Sequence, residues 1–274
     1  MKKINRFSVY IITLLLCVII MIGLNLYIRK NLREKTRDYP QIEKEGVLRI
    51  ALDYNRSSCF VSGDTMAGFE YELCKALEKH TGLRIELYPE TNLSQSLEGL
   101  KSRQFDIVAS AIPITLEYKE EFNFTEPILT NRLVLVQRKA ESNHQIQPIR
   151  NLLELAHKDI YLPAHSASTQ RLNNLAEEIA DTIYLHEDDV YGEEQLIIRV
   201  ACGEIDYAIC DESIARTMKK NYPQLDILTA VSFNQFKGWA LRKESTILLD
   251  SLNNWLHTEL NSPNFIRKKR IYHP

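Results

Sequence analysis

The stretch at residues 106–127, DIVASAIPITLEYKEEFNFTEP, constrains the fold more than any other part of the chain. Its apolar run at residues 107–112 has the length of one buried β-strand. The following Thr-x-Glu predicts a short polar helix that starts near Thr115, and Pro127 predicts that an extended segment resumes there. Ligands of open α/β sheets lie beyond the carboxyl ends of the strands, so this loop is a candidate binding edge. On spacing alone, an ordinary strand–turn–helix connection is the simpler interpretation.

The residue types in this stretch resemble the signature of the family 3 extracellular solute-binding proteins. Other segments resemble the family at the expected places, namely GVLRIAL, MAGFEYELCKALEKHTG, SLEGLKSRQFDIVAS, GEIDYAICDES and WALRKES. The resemblance covers nearly the whole chain from Gly46 onward. It applies in particular to the solute-binding half of the membrane-bound lytic transglycosylases F. The resemblance implies a bilobed receptor for amino acids or related small solutes.

The order of the predicted elements agrees with such a receptor. Strands at 47–52, 84–88 and 106–112 alternate with helices that end near His80 and Arg103, and this β-α-β-α-β order predicts a parallel sheet covered by helices. The expected fold is the two-lobed α/β fold of type 2 periplasmic binding proteins, with a mainly parallel sheet in each lobe. Residues 46–130 and 232–274 are expected to form the first lobe, and residues 131–231 the second.

An apolar segment near the N-terminus predicts a membrane anchor. Residues 7–28 carry no charge, and about 22 residues in a helix span a hydrocarbon core of roughly 30 Å. The alternative, a cleaved signal peptide, would need a small-x-small cleavage site, which LNLY at residues 24–27 does not offer. We therefore predict an anchor at residues 1–28, followed by a stalk at residues 29–45. Basic residues flank the anchor on both sides, so the resemblance alone places the body in the periplasm of a single-pass inner-membrane protein.

Composition and motifs argue against several other functions. The net charge of −2 does not indicate a nucleic-acid partner. The sequence contains no H-E-x-x-H, G-x-S-x-G or P-loop pattern, and a transglycosylase would need a further lysozyme-like domain that we do not find in it. The acidic run at residues 186–189 is interpreted as a solvated loop rather than a metal site. No catalytic residue, metal or cofactor is expected.

The resemblance also implies three ligand contacts for an amino-acid receptor. An Arg after the Thr-x-Glu turn holds the α-carboxylate, a Ser or Thr at a helix N-terminus assists it, and an Asp after the G-x-I-D strand holds the α-ammonium. The Asp matches Asp211 and the Ser matches Ser166, but Tyr118 stands at the position of the Arg. Tyrosine cannot supply a charged fork.

Two interpretations of the cleft remain open. In the first, it binds a ligand other than a free amino acid, such as a cell-wall peptide or sugar fragment. Aromatic stacking and polar contacts would come from the residues Tyr54, Asn55, Phe60, Ser110, Tyr118, Ser166 and Asp211. In the second, the cleft has lost solute binding, and the chain is a non-catalytic regulatory module. Its partner would be a transporter or a cell-wall enzyme.

Several residues also have simpler structural interpretations. Tyr54 could pack at its loop, Asp211 could cap the next helix, and Ser166 or Ser168 could cap the helix that follows. Glu70 and Glu72 are interpreted as solvated helix charges, and the basic run at residues 267–270 as a solvated helix face.

Buried free thiols are expected for the cysteines on apolar faces, Cys74, Cys202 and Cys210.

Overall fold

The computed structural model describes residues 37–164 and 166–273, together with the helical residues Ile20, Met21, Gly23 and Leu24. Most of the predicted anchor and most of the predicted stalk therefore lie outside the described residues. Within the described part of the chain, no helix is both long enough and apolar enough to cross a membrane. The anchor stays a prediction.

The helices and strands alternate along most of the chain. In order they are α1 (Tyr39–Glu45), β1 (Val47–Asp53), β2 (Phe60–Ser62), β3 (Thr65–Ala67), α2 (Phe69–Thr81), β4 (Arg84–Glu90), α3 (Leu93–Lys101), β5 (Ile107–Pro113), α4 (Leu116–Glu121), β6 (Phe122–Phe124), β7 (Leu129–Asn131), β8 (Leu133–Arg138), β9 (Asp159–Pro163), α5 (Ser168–Ile179), β10 (Tyr184–Asp188), α6 (Glu193–Cys202), β11 (Tyr207–Asp211), α7 (Glu212–Lys219), β12 (Leu225–Ala230), β13 (Gln235–Arg242), α8 (Thr246–Glu259) and α9 (Pro263–Tyr272). Short 3₁₀ helices cover Ala140–Ser142 and Leu152–Leu155.

Two separate sheets form the centres of two lobes, as expected for a bilobed receptor. The first has the order β4-β1-β5-β13-β6 with β7 also paired to β13, and the second has the order β10-β9-β11-β8-β12. We call each sheet with its packed helices the first lobe and the second lobe. The chain crosses between the lobes twice, from β7 to β8 and from β12 to β13. The lobe boundaries at residues 46–130, 131–231 and 232–274 stay a prediction.

The prediction of mainly parallel sheets misses one reversed strand in each sheet. β1 is parallel to β4 and β5, but β13 is antiparallel to β5, β6 and β7. In the second sheet, β9 is parallel to β10 and β11, whereas β8 is antiparallel to β11 and β12. Each sheet is mixed because a strand next to a crossing enters it in the opposite direction.

The helix α2 shows how local sequence builds the first lobe. Its Leu73, Cys74 and Leu77 are buried on one face, and Gly82 ends the helix in the left-handed region at φ 70°. The helix begins after Gly68, whose φ of 132° suits glycine. A side chain at Gly68 would also collide with the backbone of Ser58. The loop after β1 therefore lies directly against the start of α2.

The described end of the predicted stalk belongs to the first lobe instead. Arg37 donates hydrogen bonds of 2.8 Å to Asp106 Oδ1 and to the Val47 carbonyl. Asp38 caps α1 and accepts a 2.9 Å bond from the Leu248 N–H. Ile42 is fully buried. Residues 37–45 are thus fixed by contacts with residues far along the chain.

The C-terminal helix α9 contains the predicted helix face at residues 267–270 and extends over Pro263–Tyr272. Ser262 caps it by accepting a hydrogen bond from the Phe265 N–H, and the Phe265 ring lies 5.5 Å from the Phe69 ring. Its basic run is only partly solvated, because Lys268 is buried and donates a 3.1 Å bond to the Glu72 carbonyl. The helix therefore packs against α2 as part of the first lobe.

Three smaller predictions also need correction. The acidic run at residues 186–189 is mostly strand rather than loop, because β10 continues to Asp188. The sequence also predicts a helix at residues 152–157, but this stretch contains only a short 3₁₀ helix at Leu152–Leu155. Cys74 and Cys210 are buried free thiols as predicted, but Cys202 is exposed at the end of α6.

Candidate functional site

An ion pair joins the two lobes at the carboxyl end of β11. Asp211 is buried there and caps α7, accepting bonds from the Ser213 N–H at 3.2 Å and the Ser213 hydroxyl at 2.8 Å. Its Oδ2 also pairs with the ammonium of Lys237, and its Oδ1 accepts from the amide of Asn131. Lys237 lies on β13 of the first sheet, so this contact links residues of both lobes.

Three further carboxyl groups surround this pair. Glu193, at the start of α6, accepts a 3.1 Å hydrogen bond from the Asp211 N–H. Asp53, at the end of β1, accepts a 2.8 Å bond from the Ser110 hydroxyl and interacts electrostatically with Lys237. Glu70, in the first turn of α2, is 2% exposed and interacts with the charge of Asp53. We call Asp53, Glu70, Glu193 and Asp211 the acidic cluster.

Burial changes the charge of this cluster. It raises the pKa of Glu70 to about 8, and the nearby Asp53 adds to the shift. Burial and Asp211 together raise the pKa of Glu193 to about 8. Burial raises the pKa of Asp53 to about 6 despite the bond from Ser110. At neutral pH, Glu70 and Glu193 are therefore mostly protonated and Asp53 is mostly ionised.

The ion pair itself stays charged. Burial alone would raise the pKa of Asp211, but the Lys237 ammonium outweighs it and lowers that pKa. Burial alone would lower the pKa of Lys237, but Asp211, Glu193 and Asp53 together raise it. His273 lies nearby, and burial lowers its pKa to about 4, so its ring is neutral. The acidic cluster is thus balanced in part by the lysine of the chain itself.

A cavity of about 330 Å³ opens between the lobes. Its walls come from both lobes and are mostly polar. The lining residues are Pro113, Thr115, Glu117, Tyr118, Ser166, Ala167, Thr169, Gln170, Arg171, Asn174, Glu187 and Gln235. Two buried atoms in these walls, Ser166 Oγ and Gln235 Oε1, have no hydrogen-bond partner among the described residues. A buried polar atom without a partner costs about 1–3 kcal/mol. The cavity therefore has unused hydrogen-bonding capacity.

Tyr118 is fixed in the first turn of α4. The Thr115 hydroxyl caps this helix by accepting a 3.2 Å bond from the Tyr118 N–H, and the tyrosine ring packs against an apolar cluster that includes Phe122 and Leu97. Burial raises the pKa of its hydroxyl. The position that the family resemblance assigns to an Arg therefore carries a neutral, fixed ring.

The structure places four of the seven predicted ligand residues in two separate groups, two at the cavity and two at the acidic cluster. Tyr118 and Ser166 line the cavity from opposite lobes, while Asp211 lies in the acidic cluster and Ser110 supports Asp53. Their roles toward a ligand stay predictions. The prediction of Ser166 or Ser168 as a helix cap is wrong, because α5 begins after Ala167 without any side-chain cap.

The other three predicted residues serve or adjoin the loop after β1. Asn55 Oδ1 accepts bonds from the N–H groups of Ser57 at 2.9 Å and Ser58 at 2.8 Å, so its side chain closes its own loop. Tyr54 is half exposed and Phe60 lies on the small β2–β3 hairpin. They are separate from the residues that line the cavity.

Sequence reasoning missed four residues of the site, namely Asp53, Glu70, Glu193 and Lys237. The interpretation of Glu70 as a solvated charge is wrong. The signal was present, because Glu70 precedes Leu73, Cys74 and Leu77 by three, four and seven positions and so lies on the same face of α2. Lys237 gave no comparable signal, because its partner Asp211 belongs to the other lobe.

The acidic run of β10 makes side-chain contacts within the second lobe. His186 bonds Asp159 at 2.6 Å, and Asp188 bonds Arg199 at 3.1 Å. Across the described ranges, we find no group of three or more His, Cys, Asp or Glu side chains placed to hold a metal ion.

Two mixed sheets, two crossings and a polar cavity between the lobes define the class of two-lobed solute-binding proteins. The family described as "Bacterial extracellular solute-binding proteins, family 3" matches residues 48–266. The chain belongs to this family.

Comparison with individual proteins agrees with this assignment. The chain is 27% identical over 241 residues to a membrane-bound lytic murein transglycosylase F of Aeromonas hydrophila subsp. hydrophila, a match that covers 86% of this chain and 47% of the relative. The chain thus spans about half the length of such curated relatives. The match lies over their solute-binding region.

Solved structures show the same fold. An ancestral amino acid-binding protein, a precursor of cyclohexadienyl dehydratase, superposes with a TM-score of 0.73 at 22% identity and covers 86% of this chain and 99% of its own. An amino acid ABC transporter substrate-binding protein from Streptococcus pneumoniae, bound to L-arginine, superposes with a TM-score of 0.72 at 21% identity, covering 86% and 98%. Both are type 2 periplasmic binding proteins.

Proposed function

We propose that this chain is a non-enzymatic solute-binding module that takes a small, polar, uncharged part of its ligand into the cavity between Tyr118 and Ser166. The observation that carries this proposal is the pair of buried atoms without partners, Ser166 Oγ and Gln235 Oε1. These two atoms have no hydrogen-bond partner in the part of the protein that the structure describes. A ligand that bonds to them therefore gains binding free energy from each new hydrogen bond. The volume of about 330 Å³ falls within the range of small-ligand sites.

The chemistry of the walls favours amides or hydroxyl groups over a free α-carboxylate. Tyr118 can donate or accept a hydrogen bond but carries no charge, whereas a carboxylate is best held by a guanidinium fork. Arg171 lines the cavity, but its guanidinium is already bonded to Glu178 and to the Val231 carbonyl. A cell-wall peptide or sugar fragment fits these donors and acceptors better than a free amino acid does.

We place this module outside the cytoplasm, tethered to the inner membrane by residues 1–28. The uncharged stretch at residues 7–28 and the membrane-bound relatives support this placement. The purpose would be sensing of an envelope solute, or its delivery to a transporter.

A second candidate function is docking of a protein partner by a non-catalytic regulatory module. It is favoured by two exposed aromatic rings at the return crossing, Phe233 with 90% and Phe236 with 61% of the residue exposed. Exposed aromatic side chains of this size are common in interfaces. A transporter or a cell-wall enzyme would be the partner.

The test of the proposed function is a thermal-shift titration of the full chain with amino acids, dipeptides and muropeptide fragments. A ligand that binds the native state raises the melting temperature as its concentration increases. We expect a shift with a peptide or sugar fragment that is lost in Ser166→Ala and in Gln235→Leu. The matched controls are the exposed residues Ser142→Ala and Gln147→Leu, which should keep the shift. No shift with any of these compounds at millimolar concentration would overturn the proposal and favour the docking module.

A further inference from the structure

The acidic cluster has the chemistry of a site for a primary ammonium. Three of its carboxyl groups lie at the end of β1, the start of α6 and the end of β11, namely Asp53, Glu193 and Asp211. An ammonium group has three N–H donors and no acceptor, so convergent carboxyl oxygens suit it well. The group that stands among them is Lys237, whose side chain is only 7% exposed.

We propose that Lys237 is a resident ammonium that fills the cation position between the lobes, so that the cleft selects ligands with no primary amine at this position. Lys237 is then a specificity-determining residue. This inference deepens the proposed function, on which its ligand class rests, because it adds exclusion of free amines to a preference for uncharged polar groups.

The backbone of Lys237 keeps its ammonium in place. On β13, Lys237 is paired with Pro113 of β5 on one side and Leu129 of β7 on the other. Its carbonyl also accepts a 2.9 Å bond from the Ile128 N–H. A group tethered by a short stem has an effective concentration on the order of millimolar or higher. A free amine would therefore have to exceed this concentration to displace it.

The electrostatics of the cluster support the same conclusion. Asp211 and Lys237 neutralise each other, and both remaining glutamates are mostly uncharged at neutral pH because burial raises the pKa of each to about 8. Asp53 keeps a charge but is bonded to Ser110 and lies near Lys237. A second cation would thus find little uncompensated negative charge while Lys237 remains.

A purely structural role for this ion pair makes a different prediction. If Lys237 only holds the lobes together, its removal weakens the protein without creating an amine site. If Lys237 is a resident ammonium, its removal leaves carboxylates that bind an added amine. Gain of binding therefore separates the two roles, whereas loss of stability does not.

The experiment compares the full wild-type chain with Lys237→Met, whose side chain has nearly the same length but no charge. The probe is propylammonium chloride, and its binding is measured by thermal shift and by calorimetry. Sodium chloride and tetramethylammonium chloride at equal ionic strength are the salt controls. We expect Lys237→Met to bind propylammonium at least about tenfold more tightly than the wild-type chain does. The double variant Lys237→Met with Asp211→Asn should lose this gain.

Lys268→Met is the matched control, because Lys268 is also buried but pairs with the partly exposed Glu72, which is not a member of the acidic cluster. It should show no gain. A folded Lys237→Met without gain overturns the inference, and Lys237→Gln repeats the test if the methionine variant does not fold. If the wild-type chain binds propylammonium with a Kd below about 1 mM, the inference is also overturned, whatever the variants do. Amine binding does not depend on the Tyr118–Ser166 cavity, so this inference and the proposed function can fail separately.

Discussion

The carboxyl group of Glu193 accepts a 3.1 Å hydrogen bond from the backbone N–H of Asp211. This bond fixes the start of α6 against the end of β11, and it places two acidic side chains next to one another. Their different protonation follows from Lys237, which pairs with Asp211 and leaves Glu193 to be neutralised by a proton.

Protonation of Glu70 should make stability fall as pH rises. Burial raises its pKa from an ordinary 4.5 to about 8, so between these values the folded state holds a proton that the unfolded state has released. Its contribution to stability is fully present below pH 4.5 and is lost as pH rises to 8, at about 1.4 kcal/mol per pH unit. Denaturant unfolding from pH 5 to 8 should show a shallower fall in Glu70→Gln. Glu72→Gln on the same helix should retain the wild-type slope, and equal slopes in all three proteins would contradict the pKa shift.

Replacement of Asp211 by Asn should strongly destabilise the fold. The change leaves the Lys237 ammonium buried without its ionised partner, and loss of one member of a buried pair costs about 3–5 kcal/mol. The control is Asp206→Asn, because Asp206 pairs with Arg138 but its side chain is 65% exposed, where such pairs contribute about 1 kcal/mol or less. Urea unfolding measures both. A loss below about 1 kcal/mol in Asp211→Asn would show that the pair is not a buried ionic contact.

A free amino acid should become a ligand when both charged positions are restored. In Tyr118→Arg with Lys237→Met, the new guanidinium can hold an α-carboxylate and the vacated cluster an α-ammonium. A hydrogen bond to a charged group contributes about 1.5–3 kcal/mol, so each change should strengthen binding roughly 10- to 100-fold. Calorimetry with alanine and arginine measures the effect. Tyr118→Phe with Lys237→Met is the control without the guanidinium, and equal affinity in both double variants would contradict the role of position 118.

Removal of the Asp38 side chain should loosen the segment before β1. Asp38 caps α1 and also accepts the N–H of Leu248 at the start of α8. Loss of a cap costs about 0.5–2 kcal/mol. Denaturation of Asp38→Ala should show a loss in this range, while Glu43→Ala on the exposed side of α1 should change stability little. If both variants are equally stable, the segment does not belong to the first lobe in solution.

A methyl group at Gly68 should be poorly tolerated. Its φ of 132° is rare for other residues, and a Cβ would collide with the Ser58 backbone. Gly63 is the comparison, since its φ of 63° is also left-handed but the space around it is open. Gly63→Ala should cost about 1–2 kcal/mol, and Gly68→Ala clearly more in thermal unfolding. A reversed order would mean that the loop after β1 can move away from α2.

Local patterns in the sequence predict the β-α-β-α-β core of the first lobe. Alternating apolar runs and helical periodicity locate β1, α2, β4, α3 and β5, because each of these elements buries one face whose spacing is visible in the chain. The direction of β13 is not visible in this way. Strand direction depends on where the chain returns from the second lobe, and no local spacing records that.

In the candidate site too, residues with a local sequence pattern can be predicted, whereas residues defined by long-range contacts cannot. Asp211, Ser166 and Tyr118 were found from the family resemblance, because each follows a recognisable strand or turn. Lys237 was missed, since its role depends on a contact between residues 26 positions apart on different sheets. Its position on the buried face of α2 could have identified Glu70. Because glutamate side chains are rarely buried, the sequence favours a solvated charge instead.

The ion pair between Lys237 and Asp211 also restricts the order in which these positions can change during evolution. A lineage that loses the aspartate first retains a buried cation without a partner, whereas one that loses the lysine first acquires a vacancy that an environmental amine can occupy. If Lys237 is a resident ammonium, as we propose, the second route is the less costly of the two. Descendants of such a protein would therefore reach amine recognition by a single replacement at position 237, with the carboxylates already in place.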